Sequence, residues 1–337
     1  MEQAAKRVNL LFTSAGRRVE LLRAFKRAFG TLGLDGSVVA LDHDPLAPAL
    51  RVADRSYVVP LLGSPDYVPE LVGICRKEGI GAVFPLIDPD IPVLAANRDV
   101  IEATGARLAV APLASVEIAS DKWLTARFFA GLGLPVPAGW LRPEDIPAGA
   151  LAFPLFVKPR RGSAGRDACQ VRDAAQLAFF AGYVPDPIIQ ECLPGPEITT
   201  DVVCGLDGEV LSIVSRERIE VRWGEVAKGV TIHDAGIAEA CVRIAGAFRA
   251  RGPITVQCLM KDGRPHFTEI NARLGGGAPL GIAAGADWPA WLITRLAGLP
   301  VDIPTLGSYR AGLYMTRFDE SFFLTREDYE RIAGHRL

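Results

Sequence analysis

Cysteine pairs, long apolar runs, an excess of charge of either sign and clustered histidines are all missing from this sequence. Its six cysteines, Cys75, Cys169, Cys192, Cys204, Cys241 and Cys258, include no C-x-x-C pair. That argues against a disulfide framework or a zinc site and for reduced, mostly buried thiols in a cytoplasmic protein. Prolines, glycines or charges interrupt every apolar stretch before the roughly 20 residues a membrane helix needs. VNLLF, after Lys6 and Arg7, is too short for a signal-peptide core. A net charge of −2 supplies no basic field for nucleic acid or an anionic membrane. The histidines His43, His233, His266 and His335 show no metal spacing. No Ser-His or Cys-His arrangement marks a covalent nucleophile, and G-x-x-x-x-G-K-[ST] is absent, so there is no P-loop. Repeats and low-complexity tracts are absent too.

What is there is an ordinary globular composition, 49% hydrophobic and 23% charged over 337 residues, enough for two or three domains. The first third alternates VNLLF, VELLRAFKRAF, SVVALD, YVPELVGICRKEG and AVFPLI, strand with helix. That pattern predicts βαβ units and a parallel sheet ending near residue 112. DKWLTARFFAGLGLP predicts a helix from about Asp121, capped by Ser120 or Asp121 and stopped by Gly133 and Pro135. FPLFVKP, a glycine-containing loop, DACQV and DAAQLAFFAGY predict a compact α+β unit. PIIQECL then opens a region of strands running through TTDVVCG, EVLSIVSRERIE and ITVQCLM. The expected division is 1–112, 113–187 and 188–337.

The last strands lead to FTEINARLGGG, residues 267 to 277. Side chains alternate along a strand, so Glu269 and Asn271 share a face, two hard oxygen donors suited to Mg²⁺. A three-residue turn, Lys261-Asp262-Gly263, would pair Thr255 with Glu269 and add Gln257 to that face. A two-residue Asp-Gly turn would pair Gln257 with Thr268 and exclude it. Arg273 adds a fixed positive charge, and Gly275 to Gly277 allow backbone to approach a ligand closely. The bland reading is the solvated face of an edge strand.

Four other phrases carry polar chemistry. In LFVKPRRGSAGRDACQV, Lys158 ends a strand before a loop holding Gly162, Ser163 and Gly165, which can offer backbone N–H groups to phosphate. Its alternative is a plain glycine hairpin with surface Arg160, Arg161 and Arg166. IIQECLPGPEITTDV places Glu191, Cys192 and Leu193 after an apolar strand and Glu197 beyond a bend, where hinge backbone can read adenine and a carboxylate a ribose. Lys122 stands in a helix's first turn, where the dipole disfavours a cation unless an anion holds it. SRERIEVRWGEVAKG carries Arg216, Arg218, Arg222 and Lys228; Arg216 and Arg218 share a strand face and can grip an anionic substrate. Otherwise it is a mixed-charge solvated strand.

In this order, a lysine at a helix start, a lysine before a glycine loop, Q-E-x-L-x-G-x-E and Q…E-x-N-x-R, the sequence resembles the ATP-grasp superfamily across nearly its whole length. Within it, the chain is most similar to the units of the carbamoyl-phosphate synthase large subunit and to stand-alone carboxylate–amine ligases. The resemblance implies α/β and α+β architecture: a Rossmann-like domain followed by two subdomains gripping ATP. It implies that Lys122 and Lys158 contact ATP phosphates under a loop from Gly162 through Ser163 to Gly165. The backbone from Glu191 through Cys192 to Leu193 would meet adenine, and Glu197 the ribose. Gln257, Glu269 and Asn271 would ligate Mg²⁺ (or Mn²⁺), and Arg273, with Lys158, would stabilise the transferred phosphoryl group. An amide at Gln257, where many members have a carboxylate, removes one anionic ligand. The implied partners are small-molecule carboxylate and amine substrates, and a homodimer is common among such enzymes. Asp88, in the loop after AVFPLI, stands at a strand's carboxyl end where α/β sheets place ligands; its alternative is a turn-forming Asp before Pro89. With Arg216, Arg218, Lys228 and Arg273 it makes up the candidate substrate contacts. The implied activity is an ATP-dependent ligase forming a C–N bond (or acting on a thiol) through an acyl phosphate, on an amino acid or small carboxylic acid.

Two other functions compete. LLFTSAGRRVELL followed by VVALDHD resembles a dinucleotide-binding unit with Asp42 as ribose reader, although its turn has one glycine where the fingerprint has three. The second is a non-catalytic nucleotide-binding module.

Overall fold

The computed structural model describes residues 7–333 apart from 163, 164, 166 and 223. Its first region alternates strand and helix: β1 (Val8–Thr13), α1 (Val19–Leu32), β2 (Gly36–Asp42), β3 (Arg55–Val58), α2 (Tyr67–Glu78), β4 (Ile80–Pro85), α3 (Asp90–Ala96), α4 (Arg98–Glu102) and β5 (Arg107–Leu108). The strands form a parallel sheet in the order β3-β2-β1-β4-β5. Every β1 side chain is buried, as a strand covered on both faces by crossover helices requires. The winding reverses between β1 and β4. The loops leaving these strands, residues 14–18 and 86–89, therefore frame the crevice where α/β sheets take ligands.

α5 (Leu113–Ser120) and α6 (Lys122–Gly131) lead out of this region. Next comes an antiparallel sheet in the order β6-β9-β7-β8. It comprises β6 (Gly139–Trp140), β7 (Leu155–Pro159), β8 (Cys169–Val171) and β9 (Pro187–Glu191), with α7 (Ala174–Tyr183) before β9. This sheet with α7, expected as one of the two subdomains and hereafter the lid, has its own small core of Leu155, Val157, Val171, Leu177, Val184 and Ile189. The strand PIIQE, expected to open the C-terminal region, is instead β9 and pairs with β6 and β7. Burying Ile189 in the lid core draws it there, so the lid sheet extends to residue 191.

The third sheet has the order β14-β13-β10-β11-β12-β15. Its strands are β10 (Glu197–Cys204), β11 (Val210–Arg222), β12 (Glu225–Ile232), β13 (Pro253–Lys261), β14 (Arg264–Asn271) and β15 (Tyr314–Thr316). α8 (Ala235–Phe248) lies between β12 and β13, followed after β14 by α9 (Ala278–Ala283) and α10 (Trp288–Leu296), with α11 (Arg326–Ala333) last. One sheet face buries Ile198, Val202, Val256 and Ile270 in a core with Ile237, Cys241 and Ile244 of α8. The strand period of two turns Glu197, Arg216, Arg218, Gln257, Glu269 and Asn271 to the other face. α6 packs on this body rather than on the lid, with Phe129 against Phe267 at a centroid distance of 5.5 Å. Trp288 meets Phe25 of α1 edge-on at 5.6 Å, joining the first and third regions in one core.

All six cysteines are unpaired, and Cys75, Cys204, Cys241 and Cys258 are buried. Burial pushes the Cys75 and Cys204 thiols up to about 12, so neither is an activated nucleophile. Among the described residues no helix is long and apolar enough to cross a membrane.

Candidate functional site

The hairpin joining β13 to β14 decides which residues share the face of Glu269 and Asn271. Asp262 and Gly263 both have positive φ, 50° and 73°, and Lys261 pairs with Arg264. The turn therefore has two residues, in the I′ conformation that Asp-Gly favours, which corrects the three-residue expectation. Such a turn alone would put Gln257 on the wrong face. A bulge at Thr268 intervenes: Cys258 pairs with Phe267, Gln257 with Glu269 and Thr255 with Asn271. One extra residue flips the remaining strand, so Gln257 joins Glu269 and Asn271 by a different route from the one expected.

Asn271 Nδ2 donates to Gln257 Oε1 at 3.2 Å, and Gln257 Nε2 donates to Glu197 Oε1 at 2.6 Å. Arg218 Nη1 also donates to Glu197 Oε1, at 2.6 Å. Among the described residues the Glu269 carboxylate has no hydrogen-bond or ion-pair partner, and it lines a cleft of about 260 Å³. A carboxylate and two amide oxygens on one face fit a hard cation such as Mg²⁺, which retains several waters. No cluster of three or more His, Cys, Asp or Glu with metal-holding geometry occurs among the described residues.

Asp88, Lys122, Arg161, Gly162, Glu269 and Asn271 meet in that cleft. Asp121 is the cap that positions Lys122, accepting the amides of Trp123 and Leu124 at 2.9 and 3.3 Å. Lys122 Nζ donates to the Gly162 carbonyl at 2.8 Å. Burial holds its ammonium below the ordinary lysine range, and Lys158 pushes the same way, while Glu269 and Asp88 oppose them. Both lysines thus share one electrostatic neighbourhood with the unpaired carboxylate. Gly162 has φ 109°, a conformation glycine alone adopts freely. Gly165 is exposed with φ 66°, and Ser163 and Arg166 lie outside the described residues.

Arg160, a surface residue in the plain-hairpin alternative, donates from Nε and Nη2 to Asp121 at 3.2 and 2.5 Å. Its carbonyl accepts the Lys122 amide at 2.9 Å. At the other edge of the lid, the Glu191 amide donates to Ala138 O at 2.8 Å, and its carboxylate pairs with Lys261 across the hinge. Cys192 Sγ accepts from Gln170 at 3.3 Å, and Leu193 is buried.

Arg273 and Asp88, far apart in sequence, meet through Nη2 and Oδ2 at 2.7 Å. The other expected substrate contacts are not gathered at the cleft. Arg216 is 2% exposed and bonded to Asp201. A Cβ at Gly277 would lie 2.4 Å from its Nε, and one at Gly275 2.8 Å from its Nη2. These glycines make room for the Arg216 guanidinium. Arg218 is committed to Glu197, and exposed Lys228 pairs with Glu220 at 2.6 Å.

Asp42 does not offer itself to a ribose. It is 5% exposed, and its oxygens accept the Gly16 and Asp44 amides at 2.7 and 3.0 Å. The carboxylate holds the β1–α1 turn, so the dinucleotide alternative loses its acidic reader. Asp90, which sequence reasoning missed, is fully buried and accepts the Thr13 and Ser14 hydroxyls at 2.6 and 2.8 Å. Burial pushes its carboxyl up to about 6. Also missed were Arg18, Glu225 and Arg317, which meet across the seam between the first and third regions. The two arginines of the turn TSAGRR are the signal in the sequence for Arg18.

Two family models match the chain. One, described as PylC-like, N-terminal domain, covers residues 10–109. The other, described as ATP-grasp in the biosynthetic pathway with Ter operon, covers residues 183–317. A carbamoyl phosphate synthase large chain of Thermoplasma acidophilum is 24% identical over 314 residues, which cover 83% of this chain and 30% of that protein. The chain thus spans less than a third of that relative's length. A D-alanine–D-alanine ligase of Gloeobacter violaceus is 32% identical over 218 residues, covering 55% of this chain and 70% of that protein. Among solved structures, the biotin carboxylase domain of Hydrogenobacter thermophilus 2-oxoglutarate carboxylase, described as a dimer with ADP, its magnesium salt and bicarbonate, superposes with a TM-score of 0.70. Its sequence is 18% identical, with 93% of this chain and 74% of that one covered.

Proposed function

This chain belongs to the ATP-grasp family, and on that premise we propose that it is an Mg-ATP-dependent carboxylate–amine (or carboxylate–thiol) ligase working through an acyl phosphate. Its substrates are an amino acid or small carboxylic acid and a small nucleophile. The observation that carries this reading is the convergence of Lys122, the unpartnered Glu269, Asn271 and Asp88, which holds Arg273, on one cleft bordered by Arg161 and Gly162 of the lid. Three parts contribute to it: the parallel-sheet region to about residue 112, the lid, and the C-terminal sheet.

Lys122 and Lys158 hold the phosphates, and the lid loop at Gly162 closes over them. In this resting arrangement the Gly162 carbonyl takes the Lys122 ammonium, which a γ-phosphate would take in its place. Gln257, Glu269 and Asn271 would hold Mg²⁺, which when bound neutralises phosphoryl oxygens. A substrate carboxylate oxygen attacks the γ-phosphorus, and the bond to the ADP oxygen breaks. Arg273, fixed by Asp88, presents its fork to the oxygens where charge gathers. The nucleophile then adds to the acyl carbon, phosphate leaves, and the amine's proton goes to solvent or a nearby carboxylate. No protein nucleophile is required. The backbone of residues 191–193 and Glu197 serve adenine and ribose in this reading, with Glu197 giving up the Gln257 or Arg218 bond it makes here.

ADP and phosphate release with Mg·ATP, screened against pooled amino acids and small carboxylic acids, tests the proposal. One pool should stimulate release, and Glu269→Ala should cut it by about 100-fold or more. Unchanged turnover in that variant would sink the ligase. ATP binding without turnover in any pool would favour the binding module.

A further inference from the structure

At the seam, the β1–α1 turn points Arg18 at the C-terminal sheet. Arg18 Nη1 lies 3.0 Å from Glu225 Oε1 yet makes no hydrogen bond. Arg317 Nη1 donates to the second oxygen of Glu225 at 3.1 Å, and its Nη2 donates to the Gly276 carbonyl. A Cβ on Gly276 would fall 2.6 Å from Arg18 Nη1 and 2.9 Å from the Glu225 carboxyl carbon, so the bare backbone there is what admits the cluster. The Arg273–Asp88 pair stands alongside.

Apart from Glu20, which is exposed and reaches Arg317 only at 3.9 Å, guanidiniums outnumber carboxylates: Arg18, Arg273 and Arg317 face Glu225 and Asp88. Burial lowers Arg18 to about 10, with Arg273 and Arg317 pushing the same way against Glu225 and Asp88. Despite burial, Arg18 and Arg317 hold Glu225 below the usual carboxylate range. A purely structural ion cluster would be expected to satisfy its donors and match its charges. This one leaves a largely buried N–H unbonded and positive charge in excess. Neither Arg18 nor Arg317 lines the nucleotide cleft, so the excess does not serve the ATP phosphates there.

We propose that Arg18 and Arg317 form a subsite for a carboxylate of the small-molecule substrate other than the carboxylate that is phosphorylated. The proposal rests on the ligase reading and narrows its substrate class. The planar forks of two arginines suit a carboxylate. A substrate held there projects toward Arg273. The non-reacting carboxylate is either the second acid group of a dicarboxylic acyl donor or the α-carboxylate of an amino-acid nucleophile.

The test is binding by the full chain, saturated with MgADP, followed by calorimetry and thermal shift. The probes are the common amino acids and their C-terminal amides, and short dicarboxylic acids and their monoamides. At least one carboxylate should bind wild type, with its amide roughly ten- to 100-fold weaker. In Arg18→Gln and in Arg317→Gln, acid and amide should bind alike. An amino-acid pair would identify the nucleophile as the source of the carboxylate; a dicarboxylate pair would identify the acyl donor. Arg18→Lys keeps a charge beside Glu225 if Arg18→Gln does not fold, and it should lose most of the same discrimination. Retained MgADP binding verifies the fold of each variant. If no probe binds, or discrimination persists in the variants, the subsite is wrong. Its failure is separable from that of the ligase, which depends on Glu269→Ala losing ATP turnover.

Discussion

The guanidinium of Arg160 closes on the carboxylate of Asp121 through two hydrogen bonds, 3.2 and 2.5 Å, and ties the lid to the helix that carries Lys122. Asp121 is 1% exposed and also caps that helix. Burial opposes its ionisation, but the Arg160 bonds and the amides of Leu124 and Trp123 more than offset that and hold it below the usual range. Arg160→Ala leaves the carboxylate with its amides and the exposed Arg161 at 3.9 Å, which should cost about 2 kcal/mol in urea unfolding. If the pair positions the lid, KM for ATP also rises, by roughly tenfold. A stability loss with unchanged KM would reduce it to a structural contact.

Gln257→Glu puts a third carboxylate beside Glu197 and Glu269 and removes the donor that Glu197 accepts at 2.6 Å. Without Mg²⁺ the variant should be less stable by about 1 kcal/mol through like-charge repulsion. Its Mg²⁺ half-saturation should fall by about three- to tenfold, because the added charge is a hard ligand. Melting temperature read across a Mg²⁺ titration with ADP checks both signs. Indifference to Mg²⁺ would remove residue 257 from the metal face.

Gly277→Ala drives a methyl into Arg216, 2.4 Å from its Nε. A packing loss of about 1–3 kcal/mol is expected. Affinity for MgATP should be unchanged, since the glycine run accommodates Arg216 and not phosphate. Calorimetry separates the two: weaker nucleotide binding in a stably folded variant would return these glycines to the ligand.

Asp90 predicts a pH effect whose sign is opposite to the common one for carboxylates. Its folded pKa is raised to about 6 by burial, against about 3.9 unfolded. Between those values the folded chain binds more protons than the unfolded one, so this group's contribution falls as pH rises through the window. The loss is on the order of 2–3 kcal/mol. Asp90→Asn lacks it, so the variant should gain on wild type by that amount between about pH 4 and pH 7. Denaturant unfolding of both proteins at each pH measures it; a constant difference would assign the titration to another group.

The sequence by itself determined the parallel first sheet, a helix capped at Ser120 or Asp121 and the shared face of Glu269 and Asn271. These follow from local periodicity and capping chemistry, which a few neighbouring residues fix. Tertiary structure decided the rest of the site. Gln257 reaches the face of Glu269 and Asn271 only through the bulge at Thr268, and the reason lies in packing. Phe267 and Ile270, 1% and 2% exposed, both enter the α8-side core. A regular strand sends residues three apart to opposite faces, so burying both requires one extra residue between them. That odd spacing was in the sequence, but only the core's demand for both side chains gave it meaning. Arg160 could not be told from a surface arginine until its buried partner was in place. The same holds for Arg216, and for Arg18, whose carboxylate partner arrives from a strand more than 200 residues away.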